Sequence, residues 1–183
     1  MSLQIRRLEP SDDRRGFSSG NPDLDRFFQR FAGQNQFRHH LGVTYVAVAG
    51  DAILGFVTVA PSEIVIDALP EASRRQLPRY PLPVLRVARL AVAESAQGGG
   101  IGKALLRFAL DLARRTAEEI GCVGVVVDAK PEAQAFYRRY GFEPFAVLEG
   151  ALLGRPEPVP MFLPLSAIPR RCLAGTDSPP GSA

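Results

Sequence analysis

The chain predicts a mixed α/β (α+β) domain, a central sheet of about six to seven strands flanked by about four helices. Three observations carry this. Short β-branched runs of strand length recur along the chain and are separated by turn residues. Between them stand segments with apolar residues at helical spacing. Near the middle, one strand-like run passes through a glycine-rich loop into a long amphipathic helix and then a further β-branched run.

Leu3–Arg7 alternates weakly and reads as a short first strand. Asn21 followed by Pro22 starts a helix, since Asn suits the N-cap and Pro the first helical position. Leu24, Phe27, Phe28 and Phe31 then fall at i, i+3, i+4 and i+7, and all four are read as core packing. Val43–Ala49 and Ile53–Ala60 form a hairpin pattern across Ala49-Gly50-Asp51-Ala52. Pro61–Pro83 reads as a proline-punctuated connection with a short helix near Glu71–Gln76, and Val84–Val92 as a strand interrupted by Arg86 and Arg89.

After the glycine loop the long helix runs to about Glu119, with Ile101, Leu105, Phe108 and Leu112 on its buried face and Gly121 in the left-handed position that ends it. Val123–Val127 is β-branched apart from Gly124, which suits a strand covered on both faces. Pro131 opens a helix that reaches Tyr140 and closes at Gly141. Two final strands are expected near Phe145–Leu148 and Met161–Leu165, making one domain over residues 1–168. Residues 169–183, whose end from Ala174 is small, polar and proline-containing, are expected to be disordered.

Composition narrows the class. A 183-residue chain with 46% hydrophobic residues can bury a core of its own. No apolar run approaches the ~20 residues that span a bilayer, and Met1–Pro10 has no apolar stretch behind its charges, so no signal peptide and no membrane association are expected. Cys122 and Cys172 lack a partner pattern, and His39 and His40 are the only histidines, so the chain reads as reduced, metal-free and cytoplasmic. The net charge of +3 says less than its distribution. No acidic residue lies between Glu71 and Glu94, whereas Arg74, Arg75, Arg79, Arg86 and Arg89 all do, which fits either a polyanionic partner or a solvated basic face.

Gln97-Gly98-Gly99-Gly100-Ile101-Gly102-Lys103 links strand to helix, where free N–H groups and glycines admit an anion. A P-loop fails twice, because Gln97 and Ala104 stand where Gly and Ser or Thr are needed. A dinucleotide fingerprint started at Gly98 or Gly100 fails at Lys103 or Leu105. The pattern Q-x-x-G-x-G fits Gln97, Gly100 and Gly102. Set between an apolar strand and an amphipathic helix, it resembles the acyl-CoA loop of the GNAT superfamily of N-acetyltransferases, with Gly99 where that loop usually carries a basic residue. Phe136-Tyr137-Arg138-Arg139-Tyr140-Gly141-Phe142 is similar to the superfamily's second signature, F-Y-x-x-x-G-F.

The resemblance implies splayed central strands and acetyl-CoA as cofactor. The pyrophosphate would lie on Gln97, Gly98, Gly99, Gly100, Ile101, Gly102 and Lys103, with the pantetheine arm along the backbone of Leu90, Ala91 and Val92. Tyr137 would be the acid that protonates the departing thiolate; Tyr140 has no matching position and is read as packing. No general base stands out, Glu94 being the nearest acid and expected to face solvent. That favours an amine of low pKa: a lysine ε-amine at ~10.4 is almost wholly protonated at pH 7, whereas an α-amine at ~7.7–8.0 is neutral about a tenth of the time or more.

Phe17–Phe28, Ala32-Gly33-Gln34, Leu77–Pro81, Ala88–Val92, Gly121–Ala129 and Met161–Leu165 resemble, in this order, the GNAT-type toxins of bacterial toxin–antitoxin modules, over roughly residues 3–165. Ser19 stands where that branch often has Cys. The resemblance implies acetylation of aminoacyl-tRNA, a block of translation, a small ribbon–helix–helix antitoxin and a tendency to form homodimers. Arg74, Arg75, Arg79, Arg86 and Arg89 would then contact RNA. The alternatives are a housekeeping acetyltransferase acting on a small-molecule, protein or peptide amine, and a non-catalytic CoA-binding regulatory module.

Overall fold

The computed structural model describes residues 2–65, 67, 69, 71–75, 77–145 and 158–170. Its strands are β1 (Gln4–Arg7), β2 (Val43–Ala49), β3 (Ala52–Ile64), β4 (Leu82–Val92), β5 (Gly124–Ala129), β6 (Glu143–Pro144) and β7 (Val159–Pro164). The helices are α1 (Pro22–Arg26), α2 (Glu71–Arg74), α3 (Ile101–Glu119) and α4 (Gln134–Arg138). They form a seven-stranded sheet in the order β1-β2-β3-β4-β5-β7-β6. Among the described residues only β4 and β5 pair in parallel. A parallel pair needs a crossover, and α3 supplies it.

Alternation along the strands divides the core between two faces. One face carries Tyr45, Val57, Val87, Val125 and Val127 against Leu105, Leu106, Ala109 and Ala113 of α3 and Tyr137 of α4. On the other, Val46, Val48, Phe56 and Ala91 pack against Phe17, Phe27 and Phe28. Phe28 stacks on Phe56 with ring centroids 4.3 Å apart, and Phe17 meets Phe28 edge-on at 4.8 Å. Burying each such ring is worth roughly 1.5–3 kcal/mol, which holds the α1 segment to the sheet.

Several local expectations hold for the reasons given. Asn21 caps α1, its Oδ1 accepting from the N–H groups of Asp23 and Leu24 at 3.2 Å each. The N–H groups of Ile120 and Gly121 both donate to the Thr116 carbonyl at 2.9 Å, with Gly121 at φ +111° ending α3. Val125, Val126 and Val127 are buried, as a strand covered on both faces requires.

Others need correction. Phe31 is 44% exposed rather than core. The chain from Phe27 to Phe31 makes π-helical turns, Ala32 N–H donating to the Phe27 carbonyl five residues back, and the extra residue per turn rotates Phe31 out of the stripe. Only the two ends of Pro61–Pro83 are strand, because β3 runs on to Ile64 and pairs with β4 from Leu82. Pro61 is tolerated there because β2 stops pairing at Val43↔Val59, which leaves one edge of β3 without a partner strand. β6 spans Glu143–Pro144, just before the strand expected near Phe145–Leu148; residues 146–148 of that expectation, Gln76 and Cys172 fall outside the described residues, as does the tail from residue 171.

Two irregularities prepare the site. The β4–β5 ladder has only three rungs, Leu85↔Val125, Arg86↔Val126 and Val87↔Val127, so β4 continues from Ala88 to Val92 without β5 beside it. Those central strands are splayed. A β-bulge sits at the parting point: Val59 pairs with Val87 and Thr58 with Arg89, leaving Ala88 unpaired.

Candidate active site

The parted strands open a cleft of about 840 Å³. Its walls are β4 from Arg86 to Leu90, Val127 and Asp128 of β5, Leu24, Phe27 and Phe31 of the α1 segment, and Tyr137 of α4. Asp23, Arg26, Lys130, Glu132 and Pro158 lie along the rim.

Beyond the gap lies the glycine loop. Gly98 and Gly100 adopt φ +78° and +82°, the left-handed region that disfavours side chains. A Cβ at either would meet no atom within 4 Å, so both positions face open space. Gly100 is the N-cap of α3, whose first turn carries N–H groups without intrahelical partners and the positive end of the dipole. Lys103 is exposed beside it.

Gln97 has a second task. Its side-chain amide donates to the carbonyls of Ser19 at 2.9 Å and Val92 at 3.1 Å, bracing the loop against the end of β4 and the turn before α1. The same contact shows which side of β4 faces the gap. Residues two apart share a side, so Leu90 directs its backbone N–H and C=O the same way as Val92, and Ala91 directs its own towards β3. Of the three residues assigned to the arm, Leu90 therefore offers an uncommitted backbone to the cleft.

Tyr137 is 6% exposed and fixed edge-on between Phe136 at 5.2 Å and Phe142 at 5.5 Å. Burial pushes its phenol up to about 12. An ultraviolet absorbance titration of the wild type minus Tyr137→Phe should therefore show no tyrosinate from this ring at about pH 10.5; a step near the ordinary ~10 would mean an open, solvated phenol. Tyr140 packs edge-on against Phe136 at 5.2 Å, in keeping with its reading as packing.

Glu94 is exposed and occupied, its Oε2 accepting from Ser18 Oγ at 2.8 Å. Ser19, in the Cys position, donates from Oγ to Asp25 Oδ1 at 2.6 Å, so the hydroxyl ties the turn to α1. Cys122 is buried, and desolvation raises its thiol pKa. Among the described residues no helix is long and apolar enough to cross a membrane.

The five arginines separate. Arg86 and Arg89 line the cleft. Arg74, Arg75 and Arg79 lie in a separate hollow with Asp67 and Glu71, where Arg75 pairs with Glu71 at 2.6 Å. Sequence reasoning did not single out Asp23, Asp128 and Lys130. Arg86 pairs with Asp128 across the parting strands, and Lys130 Nζ lies 3.9 Å from Asp23 Oδ2 across the rim. The only signal available was register: once Val87 is set beside Val127, Asp128 must stand at the mouth of the gap.

A gap of this kind suits an extended carrier arm with an anionic head, and a buried neutral phenol beside it suits release of a charged leaving group. Together they define an acyltransferase. The chain belongs to the GNAT acetyltransferase family, whose model, an acetyltransferase (GNAT) domain, matches residues 40–144. It is 36% identical to a tRNA-acetylating toxin of Mycobacterium tuberculosis over 141 residues, 75% of this chain and 82% of that protein. Among solved structures it is similar to a tyrosine-to-phenylalanine variant of KacT, with TM-score 0.79 and 25% identity over 92% of this chain and 98% of that one. AtaTR bound with AcCoA gives TM-score 0.72 and 27% identity over 91% and 95%.

Proposed function

We propose that the protein transfers the acetyl group of acetyl-CoA to the α-amino group of an aminoacyl-tRNA, acting in the bacterial cytoplasm as a toxin that blocks translation. A small ribbon–helix–helix antitoxin would restrain it. The observation that carries this reading is the 36% identity, over three quarters of the chain, to a protein named for acetylating tRNA.

The cofactor fits the residues present. The open cradle at Gly98 and Gly100 and the N-terminus of α3 suit its pyrophosphate, and the free edge of β4 at Leu90 suits its amide-bearing arm. When bound, acetyl-CoA supplies the acyl group and a thiolate leaving group. Tyr137 holds its proton at Oη firmly. A phenol is already a weaker acid than a thiol, ~10 against ~8.5, and burial weakens it further, so surrendering the proton outright to the thiolate is unfavourable. The phenol therefore donates a hydrogen bond to the developing charge, and the proton balance closes through the acceptor amine, which sheds one as the new C–N bond forms. Leu90 contributes a backbone N–H for the carbonyl oxygen.

Two of the three carboxylates that border the cleft are engaged with cations, Asp128 by Arg86 and Asp23 by Arg26 and Lys130. An acceptor near ~7.7–8.0 needs no strong base, which suits an α-amine better than a lysine side chain. Labelled acetyl-CoA incubated with the protein and charged tRNA should place label on the aminoacyl group. Label found only on small amines or peptide termini would replace the toxin by a housekeeping acetyltransferase, and no turnover at all would leave a binding module.

A further inference from the structure

Four cations border the cleft: Arg26, Arg86, Arg89 and Lys130. Three of them face a carboxylate. Arg26 lies 3.4 Å and Lys130 3.9 Å from Asp23, and Arg86 is locked on Asp128. Arg89 faces none among the described residues, and no hydrogen bond is made by its guanidinium there. Instead its guanidinium carbon sits 3.9 Å from the centre of the Phe27 ring, and Phe27 is itself buried against Phe56.

This arrangement is selective in what it leaves open. The ring occupies one face of the guanidinium and fixes the side chain, so little rotamer freedom remains to be lost on binding. The in-plane fork of N–H donors stays unpaired. Such a fork matches a planar pair of phosphate or carboxylate oxygens. The bulge at Ala88 brings Arg89 to the same sheet face as Arg86; in an unbroken strand, residues three apart would point to opposite faces. Arg89 also adjoins Leu90, whose backbone opens into the gap. Arg89, Leu90 and Tyr137 line one cleft, so an anion held by the fork would share that cleft with the reacting amine.

We propose that Arg89, stacked on Phe27 with its donor fork free, anchors the phosphodiester nearest the acceptor amine, whereas Arg86 positions the strands through Asp128 and does not bind the acceptor. The inference rests on the aminoacyl-tRNA reading. In that acceptor the amino acid is esterified to the terminal ribose, so the phosphodiester concerned joins the last two nucleotides. A phosphate is favoured over an acidic peptide because Asp23, Asp128 and Glu132 already border the cleft and would repel a run of carboxylates.

Two minimal acceptors test this without the rest of the RNA: an aminoacyl-adenosine, which has no phosphate, and an aminoacyl-dinucleotide, which has one. The wild type should favour the dinucleotide in kcat/KM by about tenfold or more, the scale of a hydrogen bond to a charged group. Arg89→Ala should erase that preference and Arg89→Lys should keep part of it. The charge-matched double variant Arg86→Gln/Asp128→Asn should retain it in full. Because each variant is its own reference across the two acceptors, general misfolding lowers both rates and leaves the ratio alone. An Arg89→Ala enzyme that still prefers the dinucleotide, or a double variant that loses the preference as completely, overturns the assignment. A wild type that acetylates neither acceptor nor charged tRNA overturns the acceptor reading itself. One that acetylates acidic peptides in their place assigns Arg89 to a carboxylate.

Discussion

Tyr137→Phe should lower kcat by roughly 10²–10³-fold, the range for loss of one preorganised hydrogen-bond donor to a developing negative charge, and leave acetyl-CoA affinity within about threefold of the wild type. The asymmetry follows from what the substitution removes. The ring is held by Phe136 and Phe142, and phenylalanine keeps those contacts. Among the described residues the hydroxyl makes no hydrogen bond, so its loss strands no buried partner and thermal stability should hold within about 1 kcal/mol. The hydroxyl matters only once charge develops on the departing sulfur. An interaction made in the transition state alone lowers kcat and kcat/KM together. Steady-state kinetics beside calorimetric binding of acetyl-CoA would separate the terms, and equal losses in both would remove the assigned role.

The second large effect is expected at the loop. Gly100→Val should weaken acetyl-CoA binding by about 100-fold or more while the protein stays folded. Gly100 sits at φ +82°, where a β-branched residue is strained by roughly 1–2 kcal/mol, a cost that a domain of ordinary stability absorbs. No neighbouring atom would clash with the new Cβ. The damage therefore falls on the ligand, because the side chain stands where the anion must approach the backbone. Losing two hydrogen bonds to a charged group, at roughly 1.5–3 kcal/mol each, is enough for the stated loss. Circular dichroism and a melting curve would establish folding, and a folded variant that still binds acetyl-CoA at wild-type strength would move the pyrophosphate site elsewhere.

Much of this was legible from residues alone because the signals are local. An Asn–Pro pair starts a helix, a left-handed glycine ends one, and a glycine loop between strand and helix leaves unpaired N–H groups at the helix start. Tyr137 was legible too, as a tyrosine placed by its motif one short helix beyond a buried strand. Less legible was the difference among five arginines that form one basic stretch in sequence. Arg74, Arg75 and Arg79 share a hollow with two carboxylates, Arg86 is neutralised by Asp128 42 residues away, and Arg89 lies on an aromatic ring. Formal charge does not distinguish these fates.

The sequence by itself determined the fold class, the glycine loop before α3, the tyrosine motif and the family membership they imply, because hydrophobic period, capping and backbone permissiveness act between near neighbours. Tertiary structure alone decided where the β4–β5 ladder breaks, that a bulge at Ala88 turns Arg86 and Arg89 to one face, that Phe31 leaves the core and that Gln97 braces the loop it belongs to. Those outcomes depend on strand register and on a helical turn carrying one extra residue. Register is set by contacts between segments far apart in the chain, and a shift of a single residue sends a side chain to the opposite face of the sheet.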